Sequence, residues 1–277
     1  ALEQNQPLPK LPDSYEEYII AEHKRLSDEK KMAKHEKFYK DYFLKNGEPY
    51  YAAVHGGAYL DAYRRKTKNP SARVPLAYNP LISKCDFITM HVSKEDAEKI
   101  FDFCTERQIS PECVLQMGLR THCSAVNDRI DDVSLMSVCS KRATVKEKNM
   151  SGCLAQPIQV RTIIPETATF EEGLNEYTRV RTQLYRHMDY PYITARDLSR
   201  EMYNYNLIQG PACMMFSWIP IPIDTSSFGL KFDFRTYDLG RYFTPLYTIT
   251  IPNPRDKGVD VYYMYRTKLS TEAQIRQ

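Results

Sequence analysis

The sequence predicts an α/β protein: a lobe built on a mixed β-sheet, with helices in front of it. Two observations carry this prediction. A strand-like segment at 85–92 leads directly into helix-like segments, and four more strand-like segments fall within 212–266. The predicted order β-α-α-β-β-α-α-β-β-β-β is typical of a mixed sheet packed against helices. The predicted organisation is an extended lead-in at 1–13, linker helices and a loop at 14–84, and the sheet-containing lobe at 85–277.

Composition narrows the class of protein. The chain has 277 residues, 42% of them hydrophobic and 26% charged, which is typical of a globular protein with a sizeable core. A net charge of +3 without a dense basic stripe argues against nucleic-acid binding. Seven cysteines without a CxxC pair argue against a disulfide framework or a metal site, and favour the reducing cytoplasm. No apolar run reaches the ~18 residues of a membrane helix, and no signal peptide is visible.

The N-terminal part predicts two helices after the proline-containing lead-in. Aromatic and aliphatic residues recur at helical spacing from Ser14, with a break at Ser27-Asp28 and a stop at Asn46-Gly47. Residues 48–82 have little periodicity and read as a loop. Its basic residues are more typical of a solvated loop than of an anion site. They are Arg64, Arg65, Lys66 and Lys68.

The next segment predicts a strand followed by two helices. "CDFITMHV" alternates like a strand, and Ser93 with Asp96 forms a capping box for the first helix. Ser110 followed by Pro111 marks the start of the second helix. We expect the apolar face of this helix to be buried, with His122 as a core histidine rather than a ligand. That face comprises Val114, Leu115, Met117, Leu119, His122 and Val126.

The remaining elements are strands and one long amphipathic helix. "DVSLMSVCSKR" and "GCLAQPIQVRTII" resemble strands on either side of a charged turn. Thr169 and Glu172 form a capping box for a helix that ends in "LYRHMDYPY". Further strands are expected at 212–222, 230–238, 246–252 and 259–266.

No short catalytic motif is present. P-loop, GxGxxG, GxSxG and HExxH patterns are absent. Among six histidines only His187, with Asp189 two residues on, resembles a held general base. Residues two apart on a helix point to different sides, so the two side chains need not meet. Because the segment also contains Pro191, we interpret it as a structural joint where the long helix turns back.

The order of several segments resembles condensation domains of nonribosomal peptide synthetases. "SYEEYII" and "FYKDYF" resemble the helices that follow the active-site motif of that family, and "DVSLMSVCSKR" resembles "DVVIGTPVSGR", with Arg142 on its arginine. "GCLAQPIQVR" is similar to "GxFVNTxxxR", with Gly152 and Arg161 in register. "RHMDYPY" is similar to "HQDVPFE", and the last segment looks like "YNTDLFDAETI". The similar segments run from about residue 14 to the C-terminus.

The sequence also departs from the family pattern. The catalytic HHxxxDG motif of the family precedes the first of these helices, and nothing in this chain replaces it. Within "GCLAQPIQVR" the family residues Phe, Val, Asn and Thr are replaced by Leu154, Ala155, Gln156 and Pro157. The family's Gly-Thr-Pro is replaced by Met136, Ser137 and Val138. The chain therefore resembles the C-terminal half of a condensation domain, with changes near the substrate channel.

The resemblance implies one lobe of a chloramphenicol-acetyltransferase-like fold. The activity that it implies is amide formation between a carrier-tethered acyl or peptidyl thioester and a carrier-tethered aminoacyl thioester. The catalytic histidine would lie outside this chain. The resemblance further implies no directly bound cofactor or metal, since phosphopantetheine is carried by the partners. Expected partners are the N-terminal lobe, peptidyl carrier domains and an adenylation domain, with self-association of the isolated chain. Two alternatives remain. One is a degenerate module that docks carriers without chemistry, and the other is a coenzyme A-dependent acetyltransferase of the same fold.

The resemblance also suggests roles for individual residues. Ser140, Gln156 and Trp218 are candidates for the substrate channel or the lobe interface. Core burial is an almost equal alternative for Trp218. Arg142 and Arg161 are expected to pair with carboxylates or backbone carbonyls, and so to hold the lobe together. The remaining structural family positions are Gly152, His187, Asp189 and Pro191.

Overall fold

The structure is a computed structural model that describes residues 14–74, 83–206, 209–210, 212–220 and 240–277. Within these ranges it contains helices packed around a six-stranded sheet. The helices are α1 Tyr15–Leu26, α2 Glu29–Leu44, α3 Gly57–Thr67, α4 Lys94–Glu106, α5 Pro111–Val126, α6 Val145–Asn149, α7 Phe170–Arg186, α8 Tyr192–Tyr203 and α9 Glu272–Arg276. The strands are β1 Cys85–Val92, β2 Asp132–Ser140, β3 Ala155–Ile163, β4 Met214–Trp218, β5 Leu246–Pro252 and β6 Val259–Arg266.

The sheet is mixed, as the sequence predicts. Its strand order is β1-β6-β5-β4-β2-β3. The β1/β6, β5/β6 and β2/β3 pairs are antiparallel, whereas β4 is parallel to both β2 and β5. The parallel strands β2, β4 and β5 therefore end at the same edge of the sheet, where polar and functional groups commonly collect in α/β folds.

Local signals begin the helices where the sequence places them. Thr169 and Glu172 form a reciprocal capping box at the start of α7. The Ser110 side chain accepts the Glu112 backbone N–H, and proline occupies the first position of α5. The first two helices are separated at Ser27 and Asp28, as expected.

Two apolar clusters form most of the core. The first lies among α2, α5, α7, α8 and the β2/β3 hairpin, and includes Tyr39, Phe43, Ile158, Tyr177 and Leu184. The second lies between the sheet, α5 and the chain around α3, and includes Leu60, Ile88, Leu135, Met214 and Leu246. Burial of such side chains supplies the main favourable free energy of folding.

One side chain of α2 bonds to backbone groups on the edge strand β3. The Tyr42 hydroxyl accepts the backbone N–H of Arg161 at 2.7 Å and lies 3.2 Å from the carbonyl oxygen of Gln159. An uncovered edge would present unpaired backbone groups to other chains. Tyr42 therefore pairs backbone groups of Gln159 and Arg161 that would otherwise be unpaired on this edge.

The predicted loop at 48–82 is wrong in part, because α3 lies within it. Leu60 is buried in the second core cluster, and one such contact is too few to produce visible periodicity in the sequence. The basic stretch from Arg64 to Lys66 is the last turn of α3, and Lys68 caps it in the left-handed conformation. Cations there interact favourably with the carbonyl end of the helix.

The expected burial of α5 is also wrong. The helix buries a half-polar face, of which only Met117 belongs to the predicted apolar set: Glu112, Cys113, Gln116, Met117, Arg120 and Cys123. Most of the face that the sequence suggested for the core is only half-buried, and His122 is exposed. Glu112 and Gln116 are buried because they bond to each other and to β2. The lead-in at 1–13 and the strand expected at 230–238 lie outside the described residues.

Candidate functional site

The edge where the parallel strands end carries the three residues suggested for the channel or lobe interface. Ser140 is the last residue of β2, Gln156 pairs with Cys139 across the hairpin, and Trp218 ends β4. The Gln156 amide donates to the backbone carbonyl of Met188 at 2.9 Å. Register brings these residues to one end of the sheet, and none of them lines a cavity found among the described residues.

Trp218 is half-buried rather than fully protected or fully exposed. Its ring packs with Phe101 of α4, with 6.4 Å between the ring centroids, and with the apolar side chains of Val259 and Val261. This position lies between the two alternatives that the sequence left open.

Arg142 closes the turn between β2 and β3. Its guanidinium donates to the backbone carbonyl oxygens of Glu147, Met150 (2.6 Å) and Gly152 (2.7 Å). Gly152 has a φ of +137° and lies against the Tyr15 ring, where an added Cβ would approach within 2.3 Å. Glycine is therefore required there for both conformation and space.

Arg161 ties the sheet to the chain after α2. Its Nε and Nη2 donate to the two carboxylate oxygens of Asp132 at 2.9 and 2.7 Å, and its Nη1 donates to the Gly47 carbonyl at 2.7 Å. Only 2% of the arginine side chain is exposed. Both arginines thus bond to the kinds of acceptor expected from the sequence, and the guanidinium of Arg161 has no free face for a substrate.

The segment "LYRHMDYPY" is the turn between α7 and α8. His187 is the C-cap of α7, and Pro191 is the N-cap of α8 with extended backbone angles. The partner of His187 is His35 of α2 rather than Asp189, since the two Nδ1 atoms lie 2.9 Å apart. The His187 ring also stacks on Phe38 with 3.7 Å between the ring centroids. These contacts are those of a joint.

The two histidines favour their neutral forms. Burial, followed by the charge of His35 and of Lys34, lowers the pKa of His187. Burial also lowers the pKa of His35; Lys34 and Lys31 act in the same direction, and Asp189 opposes them. A short contact between two Nδ1 atoms needs one ring to donate and the other to accept, so full protonation of both would break it.

We expect the free energy of unfolding to fall as the pH drops below about 6.5, the ordinary pKa of histidine. Because both folded-state pKa values are lowered, the unfolded chain binds more protons there, so stability is complete above that pH and is lost below it. Urea unfolding between pH 8 and pH 5 measures this effect. His35→Gln removes one titrating ring and should flatten the profile. His23→Gln, in α1 and outside this contact, is the control substitution. The account would be contradicted if the unsubstituted protein and both variants showed the same dependence of unfolding free energy on pH.

A buried polar cluster joins α5, α7 and β2, and the sequence reasoning missed it. The Glu112 carboxylate accepts from Gln116 at 3.0 Å, from Ser137 at 3.1 Å and from Arg181. Arg181 also donates to the Tyr185 hydroxyl at 2.8 Å. The available signal was the spacing of three polar residues, Glu112, Gln116 and Arg120, which recur every four positions along one face of α5.

None of these groups is arranged as a nucleophile or a free general base. Burial raises the pKa of the Cys139 thiol to about 11, so it stays protonated and unreactive. His91 bonds to Asp260 and Asp256 through both ring nitrogens, at 2.8 and 3.0 Å, which leaves neither free to take a proton from a substrate. Within the described ranges no group of three or more histidine, cysteine, aspartate or glutamate residues could hold a metal ion.

This architecture is the condensation-domain fold, which is chloramphenicol-acetyltransferase-like. The chain is similar to the condensation domain of the Monacolin K polyketide synthase MokA, with a TM-score of 0.70 and 13% identity over 99% of this chain and 60% of that one. It is similar to VibH, an NRPS condensation enzyme, with a TM-score of 0.65 and 11% identity over 99% and 57%. For PapA2 acyl transferase the TM-score is 0.64 with 12% identity over 96% and 54%.

The chain spans little more than half the length of these solved structures. No family profile and no curated protein matches the sequence. The resemblance read from the sequence is therefore confirmed at the level of the fold and of partial length. No helix in the described part of the chain is long and apolar enough to span a membrane.

Proposed function

We propose that this chain forms the C-terminal lobe of a condensation domain. The observation that carries the proposal is the length of the similarity: nearly the whole chain is similar to little more than half of each condensation domain. The motifs for the family's C-terminal half occur in order, and its catalytic HHxxxDG does not occur in this chain. The catalytic histidine would come from residues outside the chain.

The proposed reaction converts a thioester into an amide. The amine of a carrier-tethered aminoacyl group attacks the thioester carbon of a carrier-tethered acyl or peptidyl group. A C–N bond forms, the C–S bond breaks, and the proton lost by the amine goes to the released thiol. The phosphopantetheine arms belong to the carriers and are part of the substrates. Because a thioester needs little activation, positioning of two tethered reactants supplies much of the rate.

The role proposed for this lobe is to form one wall of the channel and to dock carriers. Ser140, Gln156 and Trp218 lie at one end of the sheet, and we assign them to the channel wall or the contact with the other lobe. Arg142 and Arg161 are assigned to holding the lobe, because their donors are used on the turn and on Asp132. The proposed partners are the N-terminal lobe, peptidyl carriers and an adenylation domain, in the cytoplasm.

A binding module without chemistry is the second candidate. It is favoured by the replacement of the family's Gly-Thr-Pro with Met136, Ser137 and Val138, in the strand nearest the proposed channel. Such a lobe could still recruit carriers. A coenzyme A-dependent acyltransferase of the same fold is the third candidate, because one of the similar solved structures is an acyl transferase.

The coding sequence upstream of Ala1 tests the proposal. We expect an HHxxxDG motif in frame, shortly before the helix that begins at Tyr15. A lobe-length segment without that motif would favour the binding module. A motif reduced to HxxxD, in a protein without carrier domains, would favour the coenzyme A-dependent acyltransferase. An upstream sequence unrelated to this fold would overturn the two-lobe proposal.

A further inference from the structure

The two edges of the sheet are protected differently. Strands β1 and β3 are the outermost of the described sheet. On β3 the Tyr42 hydroxyl bonds to backbone groups, and Pro157 has no backbone N–H to leave unpaired. Strand β1 has eight residues and contains neither proline nor lysine. Because proline, lysine and covering groups are the usual protection of an edge strand against other chains, β1 is the less protected edge.

Alternate residues of β1 turn their backbone groups away from β6. The Lys84 carbonyl accepts from Thr267 on the β6 side at 3.1 Å, whereas the Cys85 N–H donates to Gly240 on the outer side at 2.9 Å. Backbone direction alternates along an antiparallel strand, so the odd-numbered residues of β1 face outward. They are Cys85, Phe87, Thr89 and His91.

The outer backbone groups in the middle of β1 have no strand beside them. The Phe87 N–H donates to the side chain of Asp86 at 2.8 Å. No described residue bonds to the backbone N–H of Thr89 or of His91, and both residues are exposed. A row of exposed, unpaired N–H and C=O groups is a template for pairing with another strand.

Large apolar side chains flank this open edge on both faces of the sheet. Phe87 is 36% exposed on one face. Met90 is 44% exposed on the other face, which it shares with the buried Ile88 because side chains alternate along a strand. A strand added beside β1 would cover apolar surface on both faces in addition to pairing backbone groups.

The sequence of β1 is self-complementary about Thr89. In an antiparallel pair of two copies with Thr89 opposite Thr89, outward-facing residues meet each other and can exchange backbone hydrogen bonds. Phe87 then lies opposite His91, and Ile88 opposite Met90. Threonine pairs, aromatic pairs and apolar pairs are among the cross-strand contacts that stabilise sheets. No like charges meet in this register.

The neighbouring elements limit the pairing to residues 86–92. At one end Gly240 already occupies the edge beside Cys85. At the other end Ser93 caps α4, which begins at Lys94. Contact over one short strand buries less than the ~1,600 Å² of a standard interface, so the association should be weak and reversible.

We propose that two copies of this chain associate through β1, antiparallel and with Thr89 on the two-fold axis. The two six-stranded sheets then join into one. An interface of this kind uses the same surface of both copies and closes at the dimer. The inference does not depend on the proposed function, because it rests only on the open edge and the sequence of β1.

Charge at Thr89 tests both the surface and the register. Thr89→Lys places two like charges opposite each other on the axis, and Thr89→Glu does the same with the opposite sign. Each variant alone should raise the dissociation constant about fivefold or more. An equimolar mixture of the two should restore association, because lysine then meets glutamate. Thr89→Val keeps the backbone N–H and a β-branched side chain, and is the matched control that should still associate.

Thr89→Pro tests the backbone groups. The substitution removes an N–H that points away from β6, so the β1/β6 pairing keeps its own bonds, and proline is tolerated on edge strands in this orientation. We expect Thr89→Pro to abolish association. Urea unfolding of each variant shows whether the fold is retained, and the lysine and glutamate variants decide the matter if the proline variant is unfolded.

Sedimentation velocity of this chain over a micromolar concentration series measures the association. We expect a reversible monomer–dimer equilibrium, and slower hydrogen exchange of the Thr89 and His91 amides as the concentration rises. A strict monomer would overturn the proposal, and protected amides in that monomer would show that another part of this chain covers the edge. A dimer that persists in Thr89→Lys and Thr89→Pro would place the contact elsewhere. A mixture of the lysine and glutamate variants that stays monomeric would contradict the register.

Discussion

Replacing Arg161 with methionine is expected to lower the free energy of unfolding by about 3–5 kcal/mol, the usual cost of breaking a buried ion pair by removing one partner. The arginine side chain is 2% exposed and Asp132 is 20% exposed, so solvent screens this pair little. The substitution also removes donors from the backbone carbonyls of Asn46 and Gly47. Because these carbonyls belong to the segment that directly follows α2, we expect the contact between α2 and the sheet edge to loosen as well.

Arg179→Met is the matched control. This arginine of α7 is 50% exposed and pairs with Glu176 three residues earlier, so its loss should cost less than about 1 kcal/mol. Urea unfolding monitored by far-ultraviolet circular dichroism measures both variants. If the two variants unfold at the same urea concentration, the holding role of Arg161 is wrong.

Replacing Glu112 with leucine is expected to cost a similar amount, about 3–5 kcal/mol. The carboxylate is 8% exposed and its partner Arg181 is 16% exposed, so the substitution leaves a buried guanidinium without its counter-charge. It also leaves the Ser137 hydroxyl without its acceptor and removes one of the two acceptors of the Gln116 amide, which still donates to the Ser137 hydroxyl oxygen. Glu112 lies in the first turn of α5, where a negative charge is favourable in addition.

A second substitution separates charge from packing. Adding Arg181→Met to Glu112→Leu removes the orphaned guanidinium and should restore a large part of the lost stability, because apolar replacement of a whole buried ion pair is often neutral. Glu176→Leu, at an exposed ion pair on the neighbouring helix, is the control and should change little. A double variant as unstable as the sum of its two single variants would show that the charge pairing is not the source of the effect.

Local signals in the sequence were enough for most of the fold. Helix starts at Ser110 and Thr169 and the strand at 85–92 depend on short-range rules of capping and alternation, and the structure has them where expected. Helix α3 was missed because a single deeply buried residue, Leu60, provides too little periodicity. Boundaries of β4 were overestimated for a related reason: the apolar run around it is longer than the paired segment.

The non-local contacts of the site could not be predicted. His35 and His187 are 152 positions apart, and no spacing rule relates them. The buried face of α5 differs from the predicted one: Glu112 is buried against Arg181 of α7, 69 positions away, and Met117 is the only residue of the predicted apolar face that is buried. The pairing of Arg161 with a carboxylate and carbonyls was predicted in kind, whereas its specific acceptors became visible only in the folded chain.

Amide formation is the most direct test of the central claim that this chain is one lobe of a two-lobed enzyme. Acyl and aminoacyl carrier proteins would be incubated with this chain alone and with the protein translated from its complete reading frame, and the amide followed by mass spectrometry. We expect product only from the complete protein. That product should be lost when the upstream motif histidine is replaced, and retained in His187→Ala. Turnover by this chain alone that disappears in His187→Ala would contradict both the missing-histidine account and the joint at the end of α7.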